Sequence, residues 1–417
     1  MIPIEQALEL IDQTVDPLSQ KELPLLESVG CNLAEDIQSD VDSPPHDKSV
    51  MDGFAVRASD VAAGQKRLQI IETIIAGGWP DKAINQGQAA RIMTGAPIPD
   101  GADAVVMVEL CKTETVSTET DSDQEFVILD VDSLAPEKHL LRKGTNFSKG
   151  QTVFSKGHTI RPTDIGLLDE VGAAKINVFS KPTVAVLPTG NELVDCSQLP
   201  GRGEIRNSNG PMLVAMARGL GATVKNLGAG KDDPDELRGL ISQGLESDLL
   251  LLSGGVSAGT MDLVPGILKD LGVEQVFHKV KVKPGKPIWF GVLNRSGDDR
   301  NSNRTYVFGL PGNPVSSLVG FRLFVCAAIR KMTGGNIEPA NSVCARLSLP
   351  HECRGDRPTY WPAQCVVDDA TERTIKPLVW RGSSDLLALG QADGLAFFPP
   401  NSGLSEAGTE VRFFPFS

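Results

Sequence analysis

The sequence predicts an α/β multidomain protein organised around a central doubly wound sheet. Three observations carry that reading. Apolar strand-length runs recur at Thr183-Val184-Ala185-Val186-Leu187, Leu249-Leu250-Leu251-Leu252 and Tyr306-Val307-Phe308. Segments with helical spacing lie between them. Each run ends in a polar loop containing glycine: Pro188-Thr189-Gly190-Asn191-Glu192, Ser253-Gly254-Gly255-Val256-Ser257-Ala258-Gly259, and Gly309-Leu310-Pro311-Gly312-Asn313-Pro314. Strands alternating with helices from about Lys181 to Lys331 indicate a parallel sheet. Ligands of such sheets bind outside the carboxyl ends of the strands. The three loops are therefore expected to line one pocket.

The elements follow in chain order. Ile4 to Ile11 opens as an amphipathic helix, Glu22 to Asp42 is mixed, and Ser43-Pro44-Pro45-His46-Asp47 reads as a linker. Short β-like runs follow at Leu68 to Ile75, Ala104 to Leu110 and Phe126 to Val131, with a polar loop from Lys112 to Glu125. Gln151-Thr152-Val153-Phe154 is another extended run, and a helix starts near Pro162-Thr163-Asp164. In the α/β unit, Met212 to Leu220 forms a helix that stops at Gly221. Asp233 precedes Pro234 as an N-cap precedes N1, and Leu237, Leu240, Ile241 and Leu245 then share one face. Leu263, Val264, Ile267, Leu268 and Leu271 have the same spacing after Asp262, and Val315-Ser316-Ser317 opens a long apolar helix toward Met332. From Ile337 to Ser417 the runs are short and extended, broken by proline and glycine, as in a small β-barrel.

The chemistry concentrates in the α/β unit. A strand feeding a glycine-rich loop and then a helix N-terminus suits a phosphate, because free N–H groups and the helix dipole both favour negative charge. The same glycines also suit a plain βα turn. Lys279-Val280-Lys281-Val282-Lys283-Pro284-Gly285-Lys286, taken as a strand, puts Lys279, Lys281 and Lys283 on one face. That is either a solvated edge strand guarded by lysine or the cationic wall of a polyanion site. The chain carries 40 Lys+Arg against 53 Asp+Glu, a net charge of −13, so concentrated positive charge stands out. Glu192, Asp233 and Asp262 at the loops would repel phosphate unless they hold a hard cation such as Mg²⁺. Helix capping is the other reading of Asp233.

Composition narrows the class. A chain of 417 residues implies more than one domain. Met1-Ile2-Pro3-Ile4-Glu5 lacks the features of a leader, and no apolar stretch is long enough to span a bilayer, so a cytoplasmic protein without membrane contact is expected. Seven cysteines scattered from Cys31 to Cys365 without a CxxC pair, and five histidines without ligand spacing, argue against zinc, iron–sulfur clusters and a disulfide framework. The acidic balance argues against general nucleic-acid binding.

Taken together, these motifs resemble the molybdopterin molybdenumtransferases of the MoeA type, also represented by the E domain of gephyrin. The resemblance covers essentially the whole chain. It rests on Ser49-Val50-Met51-Asp52-Gly53-Phe54-Ala55-Val56-Arg57, Arg91-Ile92-Met93-Thr94-Gly95-Ala96, the Ser253-to-Asp262 loop, Lys283-Pro284-Gly285-Lys286-Pro287, and Gly309 to Pro314, in that order.

The resemblance implies an α/β molybdopterin-binding domain of residues 1–20 plus 180–335, and a segmental elongated domain of 21–45 plus 140–179. It also implies a β-rich inserted domain of 46–139 and a C-terminal β-barrel of 336–417. It implies adenylylated molybdopterin and molybdate as substrates, molybdenum cofactor and AMP as products, and Mg²⁺ as cofactor. A homodimer is implied, with the active cleft between subunits. Asp262 and Glu192 are the expected metal ligands, and Ser253, Gly254, Gly255, Ser257, Asp233, Pro311, Asn313 and Pro314 belong to the substrate loops. Lys279 and Lys283 are expected at the reacting centre, with Lys283, Lys286 and Ser316 on molybdate. Arg357, Ser383 and Ser384 either assist there or lie on the surface. Asp52 and Thr94 would orient the pterin across the dimer, unless Asp52 is an ordinary turn residue before Gly53. Asn146 stands where the family usually has an acidic residue. Two other functions share these features: the related adenylyltransferase, which lacks the Asp52 and Arg91–Ala96 regions and the barrel, and a gephyrin-like binding scaffold.

Overall fold

The computed structural model describes residues 1–117, 123–255, 263–295, 304–337, 342–366 and 373–416. It divides into two compact units. One comprises Met1–Glu35, Lys156–Ile165 and Lys175–Ser417; the other comprises Asp36–Ser155 and Gly166–Ala174.

The larger unit holds a six-stranded sheet of β1 (Thr183–Pro188), β2 (Thr223–Asn226), β3 (Leu249–Ser253), β4 (Glu274–His278), β5 (Trp289–Asn294) and β6 (Arg304–Leu310). Its spatial order is β2-β1-β3-β6-β5-β4. The four strands from β2 to β6 in that order run parallel, as expected. β5 and β4 do not: each is antiparallel to its neighbour, so the parallel sheet carries a two-stranded antiparallel edge. The sequence supplies the reason. No helix separates β4 from β5 or β5 from β6 among the described residues, and without a crossover two consecutive strands pair antiparallel.

β3 shows why the sheet is doubly wound. All four of its leucines are fully buried. Leu249 and Leu251 pack with helix α1 (Ile4–Thr14) and α2 (Asn209–Gly219), whereas Leu250 and Leu252 pack with α3 (Pro234–Gly244) and α4 (Val264–Asp270). Alternate side chains of one strand thus feed two helical layers, each leucine contributing roughly 1.5–3 kcal/mol of burial. The apolar helix after Asn313 forms as read. It runs as α5 (Pro314–Gly320), a π-helical turn over Phe321–Val325, and α6 (Cys326–Met332).

The lysine segment departs from its reading. Val280 and Val282 are buried and Lys281 is exposed, so the alternation holds in burial. The backbone is not a strand. Lys279 sits at φ 69°, and the bond from Lys283 to Pro284 is cis. Lys279 and Lys281 instead bracket Ile2, through Ile2 N–H to Lys279 O (3.0 Å) and Lys281 N–H to Ile2 O (2.8 Å).

Beyond α6 a closed five-stranded barrel forms from β7 (Val343–Leu347), β8 (Thr359–Val366), β9 (Thr374–Pro377), β10 (Gly394–Phe398) and β11 (Glu410–Pro415). The strand order is β7-β9-β8-β10-β11, around Ala345, Leu347, Ile375, Phe398 and Phe413. Tyr360, Leu395 and Phe414 face the other way and join the core of the α/β sheet. The barrel and the sheet therefore share apolar packing.

The smaller unit contains its own six-stranded sheet, which includes Gly53–Val56, Arg67–Ile74, Gln88–Ile92 and Ala104–Met107. Phe54, Val56 and Val106 pack on one face, and Ala55, Ile92 and Val105 on the other.

Candidate functional site

Loops at the carboxyl ends of β1, β3 and β6 come together as the sequence indicates. Thr189 N–H donates to Ser253 O (2.9 Å) and Gly254 N–H to Leu310 O (3.1 Å), so the three strand ends are stitched in a row. The glycines are required here. A Cβ at Gly254 would lie 2.5 Å from Thr189 O, and Gly254 and Gly255 take φ 97° and 63°. The stitching also corrects the expectation that the loop's N–H groups are free for phosphate. The Gly254 N–H is already committed, and of the expected phosphate loop the structure describes only Ser253, Gly254 and Gly255. Val256 to Asp262, including Ser257 and the expected metal ligand Asp262, lies outside the described residues.

Above the stitched ends opens a cavity of about 640 Å³. Ser253, Gly254, Gly255, Asn313, Pro314 and Ser384 line it. Two carboxylates, Glu192 and Asp232, share the lining. Asp233 does not. Its side chain caps α3, accepting from Asp235 N–H at 3.1 Å and Glu236 N–H at 2.9 Å. Of the two readings of Asp233, the cap is the one realised, and the acidic residue at the cavity is its predecessor. Asp232 is tied to the first loop, its N–H donating to Asn191 Oδ1 at 3.0 Å.

A second cavity, about 620 Å³, lies where the lysine segment meets the barrel. Lys283, Lys286, Ser316, Arg357 and Ser383 line it, with Pro311 and Asn313. Arg381 adds a fourth cation, and no Asp or Glu is among the described lining. The barrel fixes this wall through backbone bonds: Lys283 N–H donates to Pro358 O, and Tyr360 N–H to Lys283 O, both at 2.8 Å. Arg357 Nη1 donates to Val282 O at 3.0 Å, and Val315 N–H donates to Ser383 O at 3.0 Å. Arg357 and Ser383 thus line the second cavity, whereas Ser384, expected beside them, is exposed and lines the first. Lys279 lines neither cavity, because its left-handed backbone turns the chain toward Ile2.

Asn313 lines both cavities. A donor-rich chamber whose described lining holds no Asp or Glu therefore adjoins a chamber with two carboxylates and a glycine loop. The first suits a tetrahedral oxyanion. The second suits a phosphate with a hard cation.

In the smaller unit, Asp52 and Thr94 meet, a contact the sequence reading did not specify. Asp52 Oδ1 accepts from both the N–H and the Oγ1–H of Thr94, each at 2.7 Å. The Thr94 backbone N–H, then its hydroxyl, hold the Asp52 carboxyl below the usual carboxylate range. A Cβ at Gly53 would fall 1.9 Å from Val106 O, so glycine is what lets Asp52 stand at the strand start. Asn146 donates its backbone N–H to Ser43 O (2.8 Å) and Nδ2 to Ser43 Oγ (3.3 Å), in a contact that holds the linker.

The sequence reading missed Asn207, Asn209, Asp232, Trp361, Trp380 and Arg381 among the cavity residues. The run Asn207-Ser208-Asn209 ahead of an apolar helix was the available signal for two of them. For the tryptophans, which meet edge to face at 4.8 Å, there was none.

The chain matches three family models end to end: "MoeA N-terminal region (domain I and II)" over residues 2–172, "Probable molybdopterin binding domain" over 185–331, and "MoeA C-terminal region (domain IV)" over 345–416. A molybdopterin molybdenumtransferase of Staphylococcus aureus (strain MSSA476) is 33% identical over 415 residues, 98% of this chain and 94% of that protein. The chain belongs to the MoeA family of molybdopterin molybdenumtransferases. The Bacillus subtilis (strain 168) enzyme of that name is 32% identical over 99% of this chain and 93% of its own. The crystal structure of a molybdopterin biosynthesis MoeA protein from Pyrococcus horikoshii OT3 superposes with a TM-score of 0.79 at 28% identity, covering 100% of both chains. Membership over the full length, barrel included, disfavours the stand-alone adenylyltransferase.

Proposed function

We propose that this protein inserts molybdate into adenylylated molybdopterin, releasing AMP and molybdenum cofactor. The observation that carries the reading is the pair of adjoining cavities sharing Asn313. The glycine-loop cavity takes the adenylylated phosphate end. Lys283, Lys286, Arg357 and Ser316 in the second cavity hold molybdate, its charge balanced by cations; the described lining has no carboxylate, and the nearby Asp356 reaches Arg357 only at 3.9 Å. Asn313, between them, orients the two substrates toward each other.

Two carboxylates beside a phosphate loop fit Mg²⁺, which takes one or two carboxylates and completes its shell with phosphate oxygens and water. Glu192 and Asp232 are the residues that would hold it, together with Asp262. Bound there, the ion supplies neutralisation of charge as the phosphoanhydride opens. Among the described residues no group of three His, Cys, Asp or Glu could hold a metal ion alone, so the proposed site draws also on Asp262 and on the ligand's own oxygens.

The chain works as a homodimer in this reading. Asp52 and Thr94 of a second copy face the α/β cavities of the first, and the charged Asp52 carboxylate accepts from pterin N–H groups. The chain is then divided as 1–20 plus 180–335, 21–45 plus 140–179, 46–139 and 336–417, with catalysis in the first segment. Among the described residues no helix is long and apolar enough to cross a membrane. A cytoplasmic site of action, without membrane or nucleic-acid partners, fits that and the net charge of −13. The test is incubation with adenylylated molybdopterin, molybdate and Mg²⁺, following AMP. Release that requires molybdate supports the reading; AMP release indifferent to molybdate overturns it.

A further inference from the structure

Asn209, at the start of α2, is 7% exposed and lines the glycine-loop cavity. Its Nδ2 donates to Ser253 Oγ at 2.9 Å and to Gly312 O at 2.7 Å. The amide orientation is chemically fixed, because the Gly312 carbonyl can only accept. One side chain therefore ties the end of β3 to the end of β6. Its Oδ1 is buried and has no hydrogen-bond partner among the described residues. Folding gains nothing from that oxygen, so the residue's contribution lies in its donor end.

What the tie restrains is the turn that separates the two cavities. Gly312 is followed by Asn313, the residue common to both linings. Gly312 also lies directly against the other loop: a Cβ there would be 3.7 Å from Gly254 Cα. Ser253 and Gly254 belong to the loop read above as the phosphate cradle. A ligand that orders this loop therefore orders Gly312 and Asn313 as well, through Asn209.

We infer that Asn209 is a positioning residue that couples the two cavities, so that a nucleotide phosphate in the first tightens oxyanion binding in the second. Ordering the shared turn costs conformational entropy once, and the second ligand is spared that cost. Linkage makes the effect reciprocal: molybdate must tighten the nucleotide by the same factor. Asn209 touches neither oxyanion nor adenylate in this scheme. It acts through Gly312 and Ser253. The inference rests on the substrate assignment made above.

The experiment is calorimetric titration of the full chain, in Mg²⁺, with sodium molybdate, alone and with saturating AMP. The wild type should bind molybdate roughly fivefold or more tightly with AMP present, within the usual range of such couplings. Asn209→Leu should fold, since it keeps the side-chain volume, suits a helix and brings no charge into the cavity. It lacks the donors for Ser253 and Gly312, and the coupling factor should fall to about one while each ligand still binds alone. Ser253→Ala removes one arm of the tie and should give an intermediate factor. A protein merely destabilised by the substitution would lose melting temperature without changing that ratio.

Full coupling in folded Asn209→Leu overturns the inference. Should that variant fail to fold, an unchanged factor in Ser253→Ala overturns it instead. A wild type that binds both ligands without coupling also defeats it and leaves the substrate assignment standing. A wild type that binds neither ligand defeats the substrate assignment itself.

Discussion

The two cavities are built by opposite means. The glycine-loop cavity sits where a regular sheet delivers three strand ends to one edge, stitched by Thr189, Ser253 and Leu310. The second cavity, proposed for the oxyanion, sits on irregular backbone, Lys279 to Pro287, that forms neither strand nor helix itself. Its geometry comes from the barrel, which clamps Lys283 through Pro358 and Tyr360. A site on a periodic frame inherits its shape from local sequence. A site on irregular chain borrows its shape from a domain 75 residues on, the distance in sequence from Lys283 to Pro358.

The largest test of that contrast is at the acidic pair. Glu192→Gln or Asp232→Asn keeps the shape of the first cavity and removes one charge from it. If these residues hold a cation on the phosphate, AMP release should fall by about a hundredfold or more, the scale of a lost electrostatic stabiliser. Excess Mg²⁺ should recover part of the loss. Wild-type turnover in both variants would reduce the pair to loop structure.

Next in size is the oxyanion cavity. Lys283→Ala should raise the molybdate needed for half-maximal AMP release by roughly 10- to 100-fold, the equivalent of a charged hydrogen bond worth about 1.5–3 kcal/mol. Lys281→Ala, two residues earlier but exposed and outside the cavity, should leave it within about twofold. Equal effects would mean the segment acts by diffuse charge and not by the barrel's clamp.

These two outcomes also measure how much of the molecule its sequence disclosed. β3 was readable because four leucines between polar residues have few alternatives to a buried strand, and both faces of β3 are in fact covered. Ser253, Gly254 and Gly255 were readable as the loop that must follow. The antiparallel edge was not, since strand direction depends on what connects β4, β5 and β6 rather than on their residues. The lysines were legible as charge and misread as conformation. Alternating burial of Val280 and Val282 has period two whether or not the backbone is a strand, so the pattern could not distinguish them. Asp232 was passed over for Asp233 because the cap signal of Asp-Pro is local, while the path of Asp232 depends on Asn191, 41 positions away. Asp52 and Thr94, 42 apart in sequence, came from family resemblance; neither spacing nor composition pairs them.

Assembly gives a smaller, bounded signal. If Asp52 of one copy completes the cavities of another, Asp52→Ala and Asp232→Asn damage opposite contributions to one cleft. A mixed dimer then has one cleft with both changes and one with neither. Random pairing makes half the dimers mixed, so co-expressed variants should recover up to about a quarter of wild-type AMP release. Proven mixed dimers that stay as inactive as the parents would place Asp52 and Asp232 in a cleft of a single chain.

The smallest expected effect separates neighbours. Asp233 accepts from two N–H groups in the first turn of α3 and lies outside both cavities, whereas Asp232 lines the first. Asp233→Ala leaves those N–H groups to water and should cost about 1 kcal/mol of stability, read as a shift in the urea midpoint with an unchanged slope. Its AMP release should match the wild type. Asp232→Asn should do the reverse, holding the urea midpoint and losing turnover, because the Asp232 carboxylate caps no helix, its N–H still donates to Asn191 Oδ1 at 3.0 Å, and an amide oxygen can still accept the long 3.4 Å bond from Asn191 N–H. If Asp233→Ala instead loses activity at unchanged stability, the carboxylate that serves the cavity is the one that caps α3, and the assignment of these two adjacent aspartates must be exchanged.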